Sequence, residues 1–113
     1  MFEATFETLG GYEFPMVAPL EVPELGKREP DVLICDIDAS VVDKLELLRR
    51  LRFVLPECLI VVYTSDGHRA WGVACHLAGA SCILWKSSED ADIMHGIRHA
   101  IRSGCYTDPR MVA

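Results

Sequence analysis

No apolar stretch in this sequence approaches the roughly 20 residues that a membrane-spanning helix needs. The acidic start also lacks the basic residues that open a secretory signal. The expectation is therefore a cytoplasmic protein with no membrane partner. Basic residues are in the minority, 11 Lys and Arg against 17 Asp and Glu for a net charge of -6, and they form no stripe. Affinity for nucleic-acid phosphates comes mainly from Lys and Arg, so direct nucleic-acid binding is not expected. The five cysteines (Cys35, Cys58, Cys75, Cys82 and Cys105) form no C-x-x-C pair and are odd in number, which speaks against a disulfide framework or a zinc knuckle. Cys35 and Cys58 lie in or beside apolar runs, where a free thiol packs as a small core residue. His95 and His99 stand four apart and His76 follows Cys75, but no third ligand converges on them in the sequence. Solvated or partly buried histidines are the simpler reading.

The 113 residues suffice for a single domain with one hydrophobic core. Half of them are apolar and a quarter charged, an ordinary globular balance. Organisation is clearest from Pro30 onward. "VLICD" (32–36) is a short continuous apolar run, the mark of a strand covered on both faces of a parallel sheet. Val42, Leu45, Leu48, Leu51 and Val54 then recur at three-residue steps, with Leu47 beside them, and predict an amphipathic helix over 41–54 that Pro56 ends. "CLIVVYT" (58–64) predicts a second buried strand, and Asp66-Gly67 the turn after it. Residues 69–78 carry Trp71, Val73, Ala74, Leu77 and Ala78 at helical spacing, with Gly79 placed as a stop. "SCILWK" (81–86) predicts a third strand. Ser88, with Glu89 and Asp90, caps a last helix whose apolar face is Ile93, Ile97, Ala100 and Ile101 and which Gly104 closes.

Strand and helix alternating three times with short links imply a parallel sheet with right-handed crossovers and helices on both faces. In such a sheet the functional edge lies outside the carboxyl ends of the strands. Asp36, Thr64 and Lys86 occupy those three ends.

At these residues the sequence resembles a known family. "PDVLICDIDASVVDKLELLRRLR", "LIVVYTS", "HLAGASCILWKSS" and "IRHAIRSGCYTDPRM" are similar to successive blocks of the CheY-like receiver domain of bacterial two-component response regulators. The last block most resembles receivers of the NarL/FixJ (LuxR-type) transcription regulators. The resemblance covers about residues 30–110 and leaves 1–29 as a divergent segment of the same domain. It implies a flavodoxin-like fold and a signalling module rather than an enzyme. It further implies Asp36 as phosphoacceptor, Lys86 as its ion-pair partner and Thr64 as the hydroxyl that senses the phosphoryl group, with Asp38, Ser65 and Tyr63 as further candidates. A metal, Mg2+ in this family, neutralises the phosphoryl oxygens, with Asp36 as a ligand.

The departures bear on function. A full receiver opens with an apolar strand ending in two acidic residues that hold magnesium, and this chain has no such strand. Its residues 1–29 read instead as the tail of a first helix, a second strand within "GGYEFPMVA" and a remnant of a second helix. For "FEATFETL", Phe2, Phe6 and Leu9 fit one helical face, the reading slightly preferred; the alternation fits a strand equally, with Gly10-Gly11 then turning a hairpin. Because the missing strand is central in the family, the edge of "VLICD" needs cover, from the N-terminal segment or from a second copy in a homodimer. Where receivers have a Met-Pro step after the acceptor, this chain has Ala39-Ser40, and Ile83 stands where an aromatic is common. Ile83, Trp85 and Tyr63 read first as core packing, ahead of a role in a rotameric switch.

Three readings follow. The first is a pseudo-receiver acting through protein contacts, with Asp36 and Lys86 as a strand-end ion pair. The second is a receiver phosphorylated on Asp36 by a histidine kinase. The third is a small-molecule or metal-binding domain on the same rim. No helix-turn-helix follows "YTDPRMVA" in this sequence, so either an output domain is left out of it or the protein acts alone; a stand-alone form is expected to meet a protein partner, a transcription regulator or a second copy, through the surface of about residues 69–101 or through the "VLICD" edge.

Overall fold

The computed structural model describes residues 8, 9, 12, 13, 31–39 and 43–111. Strands β1 (Thr8–Leu9) and β2 (Tyr12–Glu13) pair antiparallel, Thr8 with Glu13 and Leu9 with Tyr12. Of the two readings of the N-terminal stretch, the hairpin is therefore the one observed, and the slightly preferred helix does not extend to Leu9. Tyr12–Glu13 falls within "GGYEFPMVA", where a strand is expected, but it pairs with β1 in a separate two-stranded sheet and not with the main sheet; the remaining expectations for residues 1–29 lie outside the described residues.

The main sheet has four parallel strands in the order β3 (Val32–Asp36), β4 (Leu59–Thr64), β5 (Cys82–Trp85) and β6 (Tyr106–Thr107). Three helices connect them: α1 (Lys44–Val54), α2 (Arg69–Leu77) and α3 (Asp90–Ser103). Strand periodicity divides the core into two layers. Leu33, Cys35, Ile60, Val62 and Ile83 face one side, where they pack with Leu47, Leu48 and Leu51 of α1 and Cys75 of α2. Ile34, Val61, Cys82 and Leu84 face the other, against Ile93, Met94, Ile97 and Ala100 of α3. Both faces are thus covered, as the continuous apolar strands require.

Local chemistry explains the helix ends. Asp43 caps α1, its carboxylate accepting the Glu46 N–H at 3.0 Å, so the helix begins later than the periodicity suggests. Gly104 ends α3 in a left-handed conformation, φ 88°. At the amino-terminal end of the sheet, the Arg52 guanidinium donates to the carbonyls of Gly79, Leu55, Pro56 and Cys58 and to Ser81 Oγ. It ties the links before β4 and β5 to α1.

Three expectations need correction. The N-cap of α3 is Glu89, not Ser88; the Ser88 hydroxyl instead donates to the buried Asp108, anchoring the C-terminal segment. Val73 and Leu77 are 52% and 84% exposed, because α2 packs through the small residues Gly72 and Cys75, with Trp71 and the capping Ala78 packed as expected. Ile101 lies outside the buried stripe of α3. In addition, β6 extends the sheet with a strand the sequence did not announce, held beside β5 with Cys82 opposite Tyr106.

Among the described residues, β3 has a single strand neighbour, β4. The register sets Asp36 beside Tyr63 and Thr64 beside Trp85, and the Lys86 N–H donates to the Thr64 carbonyl at 2.7 Å. The three strand-end polar residues therefore share one rim.

α3 approaches the sheet closely at Gly96, where an added Cβ would lie 2.6 Å from a Tyr106 ring carbon and 2.8 Å from Leu84 Cδ2. Overpacking of this kind costs ~1–3 kcal/mol and outweighs the ~1 kcal/mol that alanine gains in a helix. Gly96→Ala is expected to lower the urea midpoint; an unchanged or raised midpoint would show that the α3 contact is looser than described.

Candidate functional site

The segment after β3 sets the site. Ile37–Ala39 forms one short 3-10 turn, and Ile37 at its start is fully buried. An apolar side chain drawn into the core at that point returns the next residue, Asp38, over the strand ends. Two carboxylates rather than one thus face Lys86.

Lys86 Nζ donates to Asp36 Oδ1 at 2.7 Å and lies 3.0 Å from Asp38 Oδ2. It also sits 5.3 Å from the centre of the Tyr63 ring, a cation–π position. The side chains of Asp36, Asp38 and Lys86 are 13%, 23% and 27% exposed, so these pairs are only partly screened by water. Asp38 receives more than the ammonium. Its Oδ2 accepts the Ser65 backbone N–H at 2.8 Å, and its Oδ1 accepts the Thr64 hydroxyl at 3.1 Å.

Thr64 is fully buried, and its oxygen accepts from the Asp66 backbone N–H at 3.1 Å and from Trp71 Nε1–H at 3.2 Å. A hydroxyl has one hydrogen and two lone pairs. All three are committed here. Behind it, Trp85 Nε1–H donates to the Ser65 carbonyl at 3.2 Å, with its indole against Gly67. Asp66 accepts from the His68 N–H at 3.0 Å and lies 2.7 Å from His68 Nδ1, which fixes the start of α2.

These contacts set the protonation states. Burial alone raises the Asp38 carboxyl, but hydrogen bonds from Lys86 and Ser65 and the lysine charge hold it below its ordinary 3.8. Burial alone lowers Lys86, and its bonds to Asp36 and Asp38 reverse this and raise it above 10.5.

The expected ion pair between Asp36 and Lys86 is present. Thr64 reaches the same rim, but its hydroxyl hydrogen goes to Asp38. Ser65 contributes its backbone N–H, and Tyr63 its ring. Trp71 and Trp85, read as packing residues, are also hydrogen-bond donors to the site, a role foreshadowed only by the need of a half-buried indole N–H for a partner. The central position of Asp38 depends on the turn at Ile37 and was not visible in the strand pattern.

Magnesium prefers about six oxygen ligands. Among the described residues no group of three or more Asp, Glu, His or Cys gathers. The two carboxylates that would serve, Asp36 and Asp38, already close on an ammonium, so the described donor set does not fit the ion. The thiols do not offer a site either. Cys35, Cys58, Cys75 and Cys82 are buried, and burial raises all four, Cys58 to about 11 and Cys75 and Cys82 to about 12. His95 and His99 stack loosely with Tyr106, and His76 bonds the Ala80 carbonyl and Thr107.

Two outcomes follow from this network. Thr64→Val leaves the Asp66 and Trp71 donors without their acceptor and is expected to cost about 2 kcal/mol in urea unfolding; a variant as stable as the parent would mean the hydroxyl is idle. A lowered Asp38 contributes stability that is present above 3.8 and lost as pH falls through its folded value, and a raised Lys86 contributes stability that is present below 10.5 and lost as pH rises through its folded value. Unfolding measured against pH should therefore show the Asp38–Lys86 contribution as a plateau between those limits, and Asp38→Asn should remove the acid-side part of the loss.

Solved structures similar to this chain include a two-component response regulator of the LuxR family from Aurantimonas sp. SI85-9A1, with a TM-score of 0.74 and 25% identity over 89% of this chain and 74% of that one. A response regulator protein from Burkholderia pseudomallei, with a phosphorylated aspartic acid, calcium ion and citrate, gives a TM-score of 0.58 at 21% identity, over 74% of this chain and half of the other. The second is a likeness of fold alone. No family model matches, and no curated protein matches in sequence. Among the described residues no helix is long and apolar enough to cross a membrane. Four parallel strands, helices on both faces and Asp, Thr and Lys at adjoining strand ends give this chain the flavodoxin-like receiver fold of response regulators.

Proposed function

We propose that this receiver-like signalling module works without phosphorylation, as a pseudo-receiver that binds a protein partner. One observation carries the reading: Lys86 already bridges two carboxylates, and the Thr64 hydroxyl has no hydrogen left for a third group. The rim holds two negative charges against one positive. Phosphorylation would turn the Asp36 carboxylate, with one negative charge, into an acyl phosphate with about two, a net gain of about one. At an effective dielectric of about 20, each unit charge placed roughly 4 Å from Asp38 meets about 4 kcal/mol of repulsion. Lys86 attracts the added charge by a similar amount, but it is already shared between Asp36 and Asp38. No metal cradle among the described residues offsets the added charge.

In this reading the rim is structural and signalling passes through the surface. Leu77 and Val73 on α2 and Phe53 on α1 are large exposed apolar side chains, which supports a contact role. The partner is a transcription regulator or a second copy of the chain, and the protein works in the cytoplasm. The alternative is a receiver phosphorylated on Asp36 by a histidine kinase, with magnesium held in part by residues beyond those described. It is favoured by the Asp36–Lys86 bond itself and by the resemblance to response regulators.

Intact-mass analysis after incubation with Mg2+ and a small-molecule phosphodonor, beside Asp36→Ala, separates the two. The expected result is no phosphoryl increment under conditions that modify an intact receiver. An increment that requires Asp36 would overturn the pseudo-receiver reading.

A further inference from the structure

The three donors that meet Asp38 come from three separate places: Thr64 at the end of β4, the Ser65 N–H just beyond it, and Lys86 after β5. None is next to Asp38 in sequence. Together they supply an ammonium, a hydroxyl and a backbone N–H to the two oxygens of one carboxylate. Such a set suits any small oxyanion. The carboxylate is simply the anion that the chain itself provides.

We propose that Asp38 is a tethered anion filling an oxyanion-binding site, and that it locks the β4–α2 link in the arrangement an external oxyanion would otherwise impose. The inference deepens the phosphorylation-free reading and rests on it. The site is held in shape by partners other than Asp38. Thr64 Oγ1 still accepts from the Asp66 N–H and from Trp71 Nε1–H when the carboxylate is removed, so its hydrogen stays directed at the vacated place. Ser65 remains fixed through its carbonyl by Trp85. Lys86 remains held by Asp36. Removing Asp38 also changes the local balance from two carboxylates and one ammonium to one of each, so an incoming anion no longer meets an excess of negative charge. The ligand class that fits is a small tetrahedral oxyanion, of which inorganic phosphate is the simplest.

The test is a titration of the full chain with inorganic phosphate, followed through the amide signals of Ser65 and Asp66, in the parent and in Asp38→Ala. Asp38→Ala is expected to show saturable shifts at those two amides, with affinity at least about tenfold above the parent, and Lys86→Met in the Asp38→Ala background is expected to abolish them. Asp38→Ser, judged by the same rule, serves if the alanine variant does not fold. Equal responses in parent and variant, or a folded variant with no saturable shift, would overturn the tethered-anion role while leaving the phosphorylation-free reading intact. That reading falls separately, to an Asp36-dependent phosphoryl increment in the unmodified chain.

Discussion

Lys86 carries one positive charge and divides it between Asp36 at 2.7 Å and Asp38 at 3.0 Å, and most of the rim is arranged around that division. A partly buried ammonium with one carboxylate makes a neutral pair. With two carboxylates it leaves an excess negative charge that must be stabilised by other donors. The Thr64 hydroxyl and the Ser65 N–H supply that stabilisation at Asp38, which is why its carboxyl is held down despite burial. The Thr64 oxygen at the same time accepts from the Asp66 N–H and from Trp71 Nε1–H, so one hydroxyl links the rim to the start of α2.

The sheet makes this possible by setting consecutive strand ends side by side. Asp36, Thr64 and Lys86 are nearly 30 and just over 20 residues apart in the chain, yet parallel pairing brings them to one edge. The two apolar layers fix which face of each strand is buried, and a slip of one residue would turn every side chain over. The Arg52 staple and the Asp108 anchor hold the links around the sheet. The rim is therefore positioned by contacts that lie largely outside it.

Strands 32–36, 59–64 and 82–85 were legible because they are buried on both faces and so read as unbroken apolar runs, and α1 was legible because leucines mark its stripe. The contact face of α2 was misread in part: Trp71 and Ala78 pack as expected, but Gly72 and Cys75 complete the face while the larger Val73 and Leu77 are exposed. Hydrophobicity alone cannot separate close packing by small residues from exposure of large ones. The short β6 and the capture of Ser88 by Asp108 depend on how the C-terminal segment returns to the sheet, a long-range contact without local signature. At the site, strand-end position identified Asp36, Thr64 and Lys86. The part played by Asp38 was hidden because it follows from one buried isoleucine turning the chain back over the rim.

The most direct measurement of this charge balance is the titration of the Asp38 side-chain carboxyl carbon by NMR, in the parent and in Lys86→Met. The account predicts a midpoint below the ordinary 3.8 in the parent and a rise when the ammonium is removed and burial dominates. A parent Asp38 that titrates at or above 3.8, and does not move in Lys86→Met, would contradict it.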